Sequence, residues 1–114
     1  MYLPSNCSFR MTDIWRGFIA QRCLWEMGGA VAFHAPEAVQ DRNPHDLQKD
    51  FADEVPGYLR NDEIKCILCA LKLGKYPDKN LVQCYEALVE ARIFPVDELQ
   101  LVDFWLRDIG MIKP

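Results

Sequence analysis

An acid, a base and two small residues share one side of a helix that the sequence predicts near the start of this 114-residue chain. From "MTDIWRG" (residues 11–17) onward, Asp13, Arg16, Gly17 and Ala20 fall within about 100° of arc on a helical wheel. Small residues let another group approach the backbone, and the helix dipole keeps an acid in the first turn ionised. Such a carboxylate beside open space can act as a general base toward a hydroxyl group. Because an acid at a helix start is also a common N-cap, both interpretations remain open here.

Two of the five cysteines have a spacing that occurs in metal and redox sites. Cys66 and Cys69 lie three residues apart in "IKCILCALKL". Zinc would need two more ligands at matching spacing, and a redox pair begins a helix after a strand, whereas these residues lie within an apolar helical pattern. We therefore predict reduced thiols that belong mostly to the core.

Charge and hydropathy exclude several classes of partner. The chain has 17 acidic and 13 basic side chains, with a formal net charge of -4, so it lacks the basic surface that nucleic acids and anionic membranes attract. It contains no apolar run of the roughly 18 to 20 residues that a membrane helix needs, and its first residues lack the pattern of a secretory signal. We expect a soluble single domain with no nucleic-acid partner and no membrane contact from these residues.

The helix that carries Asp13 has recognisable start and stop signals. Thr12 or Asp13 is predicted to cap its N-terminus, and the helix is predicted to run to Met27, where "GG" (residues 28–29) ends it. One side of this helix is predicted to be its core face, formed by Ile14, Phe18 and Trp25.

Another side of the same helix carries a pair of opposite charges. Arg22 and Glu26 are four residues apart, so an exposed ion pair is expected.

The rest of the chain predicts one short strand and three further helices. "AVAF" (residues 30–33) is typical of a buried strand, and a polar, irregular stretch follows it to about residue 58. Apolar stripes then predict helices that begin after Asn61, cover residues 81–94 and follow Pro95; Gly74 and Gly110 are predicted stops. The predicted fold is mainly α with one or two short strands. It divides into a helix-strand-loop part (residues 1–57) and a helical tail (residues 58–114).

Two segments carry a family resemblance. "TDIWRGFIAQRCLWEMGG" and "VQDRNPHDLQKDFADEVPGYL", in that order, with a tail ending in "FWLRDIGMI", resemble the C-terminal region of the STELLO family of glycosyltransferases. A weaker similarity extends to plant UDP-arabinopyranose mutases, the reversibly glycosylated polypeptides. The positions that match them are Asp13, Trp15, Gly17, Asn43 and Pro44.

The resemblance implies a nucleotide-sugar transferase of the GT-A type, with this chain as its acceptor-side segment. It implies that Asp13 faces the transferred sugar and acts as base toward the acceptor or helps to position it. Trp15 would form part of the pocket wall, Arg16 would pair with a phosphate or carboxylate, and Gly17 would leave room for substrate. Many such enzymes have two adjacent acids at this point; here Thr12 stands beside Asp13, so one carboxylate is left.

A GT-A site also uses a divalent metal, Mn or Mg, on the nucleotide diphosphate. His45, in "NPHD", could supply a late ligand to that diphosphate or its metal. The alternative is structural, because Asn43 is a good helix N-cap and Pro44 suits the first helical position.

The chain lacks other parts of such an enzyme. Its 114 residues contain no Asp-x-Asp motif and no glycine-rich phosphate loop, so we expect a fragment or truncated relative that needs a nucleotide-binding half and is inactive alone. In a full-length relative the ligands would be a nucleotide-sugar and a glycan acceptor, and the resemblance implies a Golgi location. The alternative function is a non-catalytic module whose helical tail, residues 58 to 112, binds a protein partner.

Overall fold

The described part of the chain is a bundle of four helices. The structure, a computed structural model, describes residues 1–41 and 44–111. The helices are α1 (Met11–Glu26), α2 (Leu47–Ala70), α3 (Pro77–Glu90) and α4 (Asp97–Met111). The mainly α prediction is confirmed, and within the described ranges there is no strand. None of these helices is both long and apolar enough to cross a membrane.

The start of α1 differs from its prediction. The N-cap position is Arg10, two or three residues before the predicted one, and no side chain caps the helix. The Thr12 hydroxyl instead donates to the Ser8 carbonyl at 3.4 Å. The predicted cap by Thr12 or Asp13 is therefore wrong, because both residues already lie within the first turn, where Asp13 still benefits from the helix dipole.

The end of α1 confirms the predicted stop. Gly28 adopts φ +74°, a left-handed conformation that favours glycine. The Gly29 N–H then donates to the Leu24 carbonyl at 2.8 Å and the Gly28 N–H to the Trp25 carbonyl at 3.1 Å. These bonds form a Schellman motif, which satisfies carbonyls that the last helical turn leaves unpaired.

The core face of α1 is not the predicted one. The side that packs, here called the inner face, is formed by Met11, Trp15, Ile19 and Cys23, each at most 4% exposed. The predicted face, here called the outer face, comprises Ile14, Phe18 and Trp25; Phe18 is half-buried, Ile14 is 41% exposed and Trp25 is 51% exposed. Both faces have helical spacing, but the inner one belongs to the same core cluster as Ile64 of α2 and Tyr85 of α3.

Arg22 has a different role from the one its spacing predicted. It does pair with Glu26, at 2.7 Å, but its side chain is buried rather than exposed. Its Nε donates to the Leu68 carbonyl at 2.9 Å and its Nη2 to the Leu71 carbonyl at 2.8 Å. Leu68 lies in the last turn of α2 and Leu71 is its C-cap, so Arg22 bonds to carbonyls at the negative end of that helix and joins α1 to α2.

The segment after α1 has no regular secondary structure and is exposed. The prediction of a buried strand over residues 30–33 is wrong, because no described strand lies beside it to accept its backbone hydrogen bonds. Val31 is 46% exposed and Phe33 is 95% exposed.

Helix α2 begins earlier than predicted. Its N-cap is Asp46, whose carboxylate accepts from the Gln48 and Lys49 amides at 3.0 and 3.2 Å. The structural alternative, in which Pro44 is the first helical residue, is therefore wrong. Asn43, which that alternative made the N-cap, lies outside the described residues. Asn61, the expected start of this helix, is in its interior.

Pro56 lies inside α2, where a proline lacks the N–H for a helical bond and crowds the preceding turn. The Ser8 hydroxyl donates to the Asp53 carbonyl in that turn at 2.6 Å. This bond joins the N-terminal segment to α2 close to Pro56, where the helix lacks a backbone hydrogen bond. The boundary drawn after residue 57 falls within this continuous helix.

Most of the predicted apolar stripe residues of the last two helices are buried or half-buried, although α3 begins and ends four residues before the predicted range 81–94. Leu81, Tyr85 and Leu88 of α3 and Val102 of α4 are at most 3% exposed. Helix α2 ends at Ala70, before the predicted stop at Gly74. Gly110, the other predicted stop, lies inside α4.

A buried carboxylate fixes the N-terminal segment to α4. Glu98 is fully buried, and its oxygens accept from the Tyr2 hydroxyl at 2.6 Å, the Ser5 amide at 3.0 Å and the Asn6 amide at 2.9 Å. The Asn6 side chain donates a fourth bond at 2.7 Å. The charge is therefore satisfied without a cation.

All five cysteines are free, as predicted. Cys23 and Cys84 lie in the core, but Cys66 and Cys69 are exposed on α2, so the prediction of core positions is wrong for that pair.

Candidate functional site

An open groove of about 390 Å³ lies beside the first turn of α1. Its apolar side is formed by Leu3, Phe9 and Ile14, and the Phe9 ring is 85% exposed. Its polar side includes Thr12, Arg10 and two carboxylates, Asp13 and Glu54. We call this the Asp13 groove.

Asp13 and Glu54 reach this groove from different helices. Asp13 is in the first turn of α1, and Glu54 is in the N-terminal half of α2. The second acid that the family pattern places next to Asp13 is absent from the sequence, but the fold brings Glu54 to the same groove. Two carboxylates that are close to an open surface can accept hydrogen bonds from hydroxyl groups or take up a proton.

Sequence reasoning missed Glu54. Its only signal was its position four residues after Asp50, which places both acids on one face of a helix. That signal becomes visible only when α2 is taken as one continuous helix across Pro56.

Arg10 does not leave its positive charge free in the groove. Its guanidinium pairs with the Asp50 carboxylate and holds the pKa of Asp50 below its usual value. The His45 Nδ1 lies 3.4 Å from the same carboxylate. These contacts hold the start of α2 against the residue that precedes α1.

The metal prediction for His45 is not tested by this arrangement. Asp50 is the one acid that His45 approaches within the described ranges, and no group of three or more His, Cys, Asp or Glu side chains there could hold a metal ion. The role of His45 as a late ligand to a metal stays a prediction.

The other predicted site residues are spread around α1. Trp15 is 4% exposed, packs edge-to-face on Phe94 at 5.6 Å and donates from Nε1 to the Asn61 side chain at 2.9 Å. Arg16 is half-buried, and no ion pair is found for it among the residues described. A Cβ added at Gly17 would meet no atom within 4 Å. The structure thus brings Asp13 to the groove, leaves open space at Gly17 and packs Trp15 in the core.

Comparison with known proteins gives a family and one named relative. The chain is 26% identical over 110 residues to the Arabidopsis thaliana protein named "Probable glycosyltransferase STELLO1". That match covers 96% of this chain and 14% of the relative, so the chain spans about a seventh of the length of the relative it matches. No solved structure matches the chain. The family model for STELLO glycosyltransferases matches residues 10–113, nearly the whole chain, and the chain therefore belongs to the STELLO family of glycosyltransferases.

Proposed function

We propose that the Asp13 groove is the acceptor side of a nucleotide-sugar-dependent glycosyltransferase site. The observation that carries the proposal is that Asp13 and Glu54 line one open groove beside the exposed ring of Phe9. Carboxylates beside an apolar surface suit a sugar, whose ring has an apolar face and whose hydroxyls need acceptors. Family membership supports the class of reaction.

In this proposal Asp13 acts on the acceptor hydroxyl. As the oxygen of that hydroxyl forms its bond to the anomeric carbon of the donor, the nucleoside diphosphate leaves and the hydroxyl proton must be taken up. Asp13 takes the proton or orients the hydroxyl, and Glu54 holds a second hydroxyl of the same sugar. Glu54 thereby serves in place of the neighbouring acid, where this chain has Thr12.

The nucleotide is held elsewhere in this proposal. The matched relative is about seven times longer than the aligned region, which leaves ample chain for a GT-A nucleotide-binding half. The described residues do not form a metal site on their own. When bound to that other half, a divalent Mn or Mg ion would stabilise the negative charge of the leaving diphosphate. By the family resemblance we place this activity in the Golgi, and we expect this chain alone to be inactive.

Arg16 and Gly17 have supporting roles. Arg16 follows Asp13 by one helical turn and would pair with a phosphate or carboxylate of the bound substrate. The space at Gly17 would admit part of the sugar, since a Cβ there would meet nothing of the protein itself.

The test is substitution in a full-length family member, assayed with a panel of UDP- and GDP-sugars. Asp13→Asn at the matching position should lower kcat by about 10² to 10⁴ while folding is retained, because loss of a general base costs that much. Glu54→Gln should mainly raise the KM for the acceptor.

The matched control is Glu90→Gln, which changes an exposed acid at the end of α3, outside the groove. This variant should transfer sugar at the normal rate. Unchanged transfer by Asp13→Asn would overturn the assignment of the groove.

A further inference from the structure

A second groove lies on the outer face of α1. It has a volume of about 260 Å³ and runs between α1 and α2, lined by Phe18 and Trp25 on one side and by Asp62, Lys65 and Cys69 on the other. Trp25 is 51% exposed, so about half of its surface is open to solvent. We call this the Trp25 groove.

The polar groups around Trp25 are of both hydrogen-bonding kinds. Gln21 offers a donor and an acceptor, Asp62 offers acceptors and Lys65 offers donors. No ion pair joins Asp62 to Lys65 in the part of the chain that the structure describes, so neither is held by the other. A flat aromatic ring flanked by donors and acceptors matches a saccharide, whose ring is apolar on its faces and carries hydroxyls at its edge.

A third groove, of about 300 Å³, lacks this chemistry. It lies beside Trp105 and is lined by apolar side chains such as Met27, Leu81 and Ile109, with Asp78 as its one charged side chain among the described residues. It offers a hydroxylated ligand few donors, so it matches a saccharide less well than the Trp25 groove does.

The two grooves on α1 follow one another along the helix. Ile14 lines the Asp13 groove and Phe18 lines the Trp25 groove, and these residues are four positions apart, or about 6 Å along the axis. Asp13 and Trp25 are twelve positions apart, or about 18 Å. A single sugar cannot span that length.

We propose that the Trp25 groove is a second sugar-binding subsite, which holds a distant unit of an extended glycan acceptor whose reacting unit lies at Asp13. The ring of that unit packs on the Trp25 indole, and its hydroxyls bond to Gln21, Asp62 and Lys65. That the glycan is an acceptor rests on the proposed function, whereas saccharide binding beside Trp25 does not depend on it. The acceptor class is accordingly an oligosaccharide or polysaccharide rather than a monosaccharide.

Two thiols on α2 allow a direct test with this chain. Cys69 lines the Trp25 groove, whereas Cys66, three residues earlier and also exposed, does not. The alkylation rates of both by iodoacetamide can be followed by mass spectrometry during titration with tetrasaccharides of glucose, xylose and galactose. At about three times the Kd of a bound sugar, alkylation of Cys69 should slow about fourfold, because the free fraction is then about one quarter. The rate at Cys66 should not change.

Three variants sharpen the test. Trp25→Ala should abolish the protection of Cys69, and Asp62→Asn, an exposed change that leaves the fold intact, should weaken it. Phe33→Ala, which removes an exposed aromatic ring outside the groove, should leave it unchanged. The proposal is overturned if none of the three sugars protects Cys69, or if protection is equal at Cys66 or survives in Trp25→Ala.

The two proposals fail separately. Protection of Cys69 together with normal transfer by Asp13→Asn would leave the sugar subsite in place and remove the catalytic role of Asp13. Lost transfer by Asp13→Asn without protection of Cys69 would do the reverse.

Discussion

The inner and outer faces of α1 carry apolar side chains of similar size in different surroundings. On the inner face the Trp15 ring is enclosed, packed on Phe94, and bonded through its N–H to Asn61. On the outer face Trp25 leaves half of its surface in solvent and borders a groove. The difference is that α2 and α3 enclose the inner face, whereas a groove between α1 and α2 remains open at the outer face. An apolar stripe on a helix therefore marks a surface that can exclude water, and the neighbouring elements decide what covers it.

The two tryptophans give the largest expected contrast between the faces. Trp15→Ala should lower the free energy of unfolding by about 3 to 5 kcal/mol, because it opens a cavity and leaves the Asn61 side chain without its partner. Trp25→Ala should lower it by less than about 1 kcal/mol, as expected for a half-exposed residue. Urea unfolding followed by far-UV circular dichroism measures both. Equal losses would contradict the assignment of the faces.

Two tyrosines in contact test the packed side in finer detail. The rings of Tyr2 and Tyr85 meet edge-to-face at 5.3 Å, and both are buried. Tyr2→Phe removes the 2.6 Å bond to Glu98 and should destabilise the protein by about 1.5 to 3 kcal/mol.

Tyr85→Phe is the matched control, because the buried Tyr85 hydroxyl has no hydrogen-bond partner in the described part of the structure. It should leave the free energy of unfolding unchanged or raise it by about 1 kcal/mol. Thermal unfolding of the two variants distinguishes them. A similar loss in both would mean that the Tyr85 hydroxyl is bonded in solution.

The same tyrosines predict a loss of stability at alkaline pH. Burial raises the pKa of both phenols in the folded protein, reinforced by the hydrogen bond to Glu98 for Tyr2 and by the Glu98 charge for Tyr85. The unfolded chain therefore releases these protons first, near its ordinary pKa of about 10. The stabilisation is complete below that pH and falls as the pH rises above it.

Urea titrations from pH 8 to pH 11 measure this effect. The double variant Tyr2→Phe/Tyr85→Phe should show a shallower decline than the unchanged protein. A free energy of unfolding that stays constant to pH 11 in the unchanged protein would be inconsistent with buried phenols.

Two helical glycines give the smallest effects, with opposite signs. A Cβ at Gly57 would lie 2.5 Å from the Sδ of Met11 on the inner face, so Gly57→Ala forces Met11 to repack and should cost about 1 kcal/mol net of the gain in helix propensity. Gly17→Ala meets open space and should stabilise the protein by about 0.5 to 1 kcal/mol. Thermal denaturation measures both, and stabilisation by Gly57→Ala would show that Met11 is loosely packed.

Local patterns were sufficient for most of the fold. The stripes of α3 and α4 and the Gly28–Gly29 stop depend on residues close in sequence, and the structure has them as predicted. The face of α1 could not be chosen, because two stripes about 100° apart both fit a helix. The strand over residues 30–33 was predicted from composition alone, but a strand also needs a neighbour. The continuity of α2 was hidden by Pro56, because a proline within a helical pattern normally predicts a helix boundary.

For the candidate site, too, local patterns were informative, whereas contacts between helices could not be predicted. The position of Asp13 beside an open groove could be predicted, because the helix dipole, the neighbouring small residues and the family pattern all depend on one short stretch of sequence. Glu54 could not, because its proximity to Asp13 depends on how α1 and α2 pack. Arg22 was misjudged for the same reason, since its partners are carbonyls at the end of another helix.

The bonds between the first residues and Glu98 have a consequence for synthesis. Tyr2 and Glu98 are 96 positions apart, so at about 5 to 20 residues per second the ribosome makes the acceptor roughly 5 to 20 s after the donor. During that interval the Tyr2 ring and the groove wall that Leu3 provides have no carboxylate to fix them. The Asp13 groove can therefore take its final shape only after the start of α4 has left the ribosome.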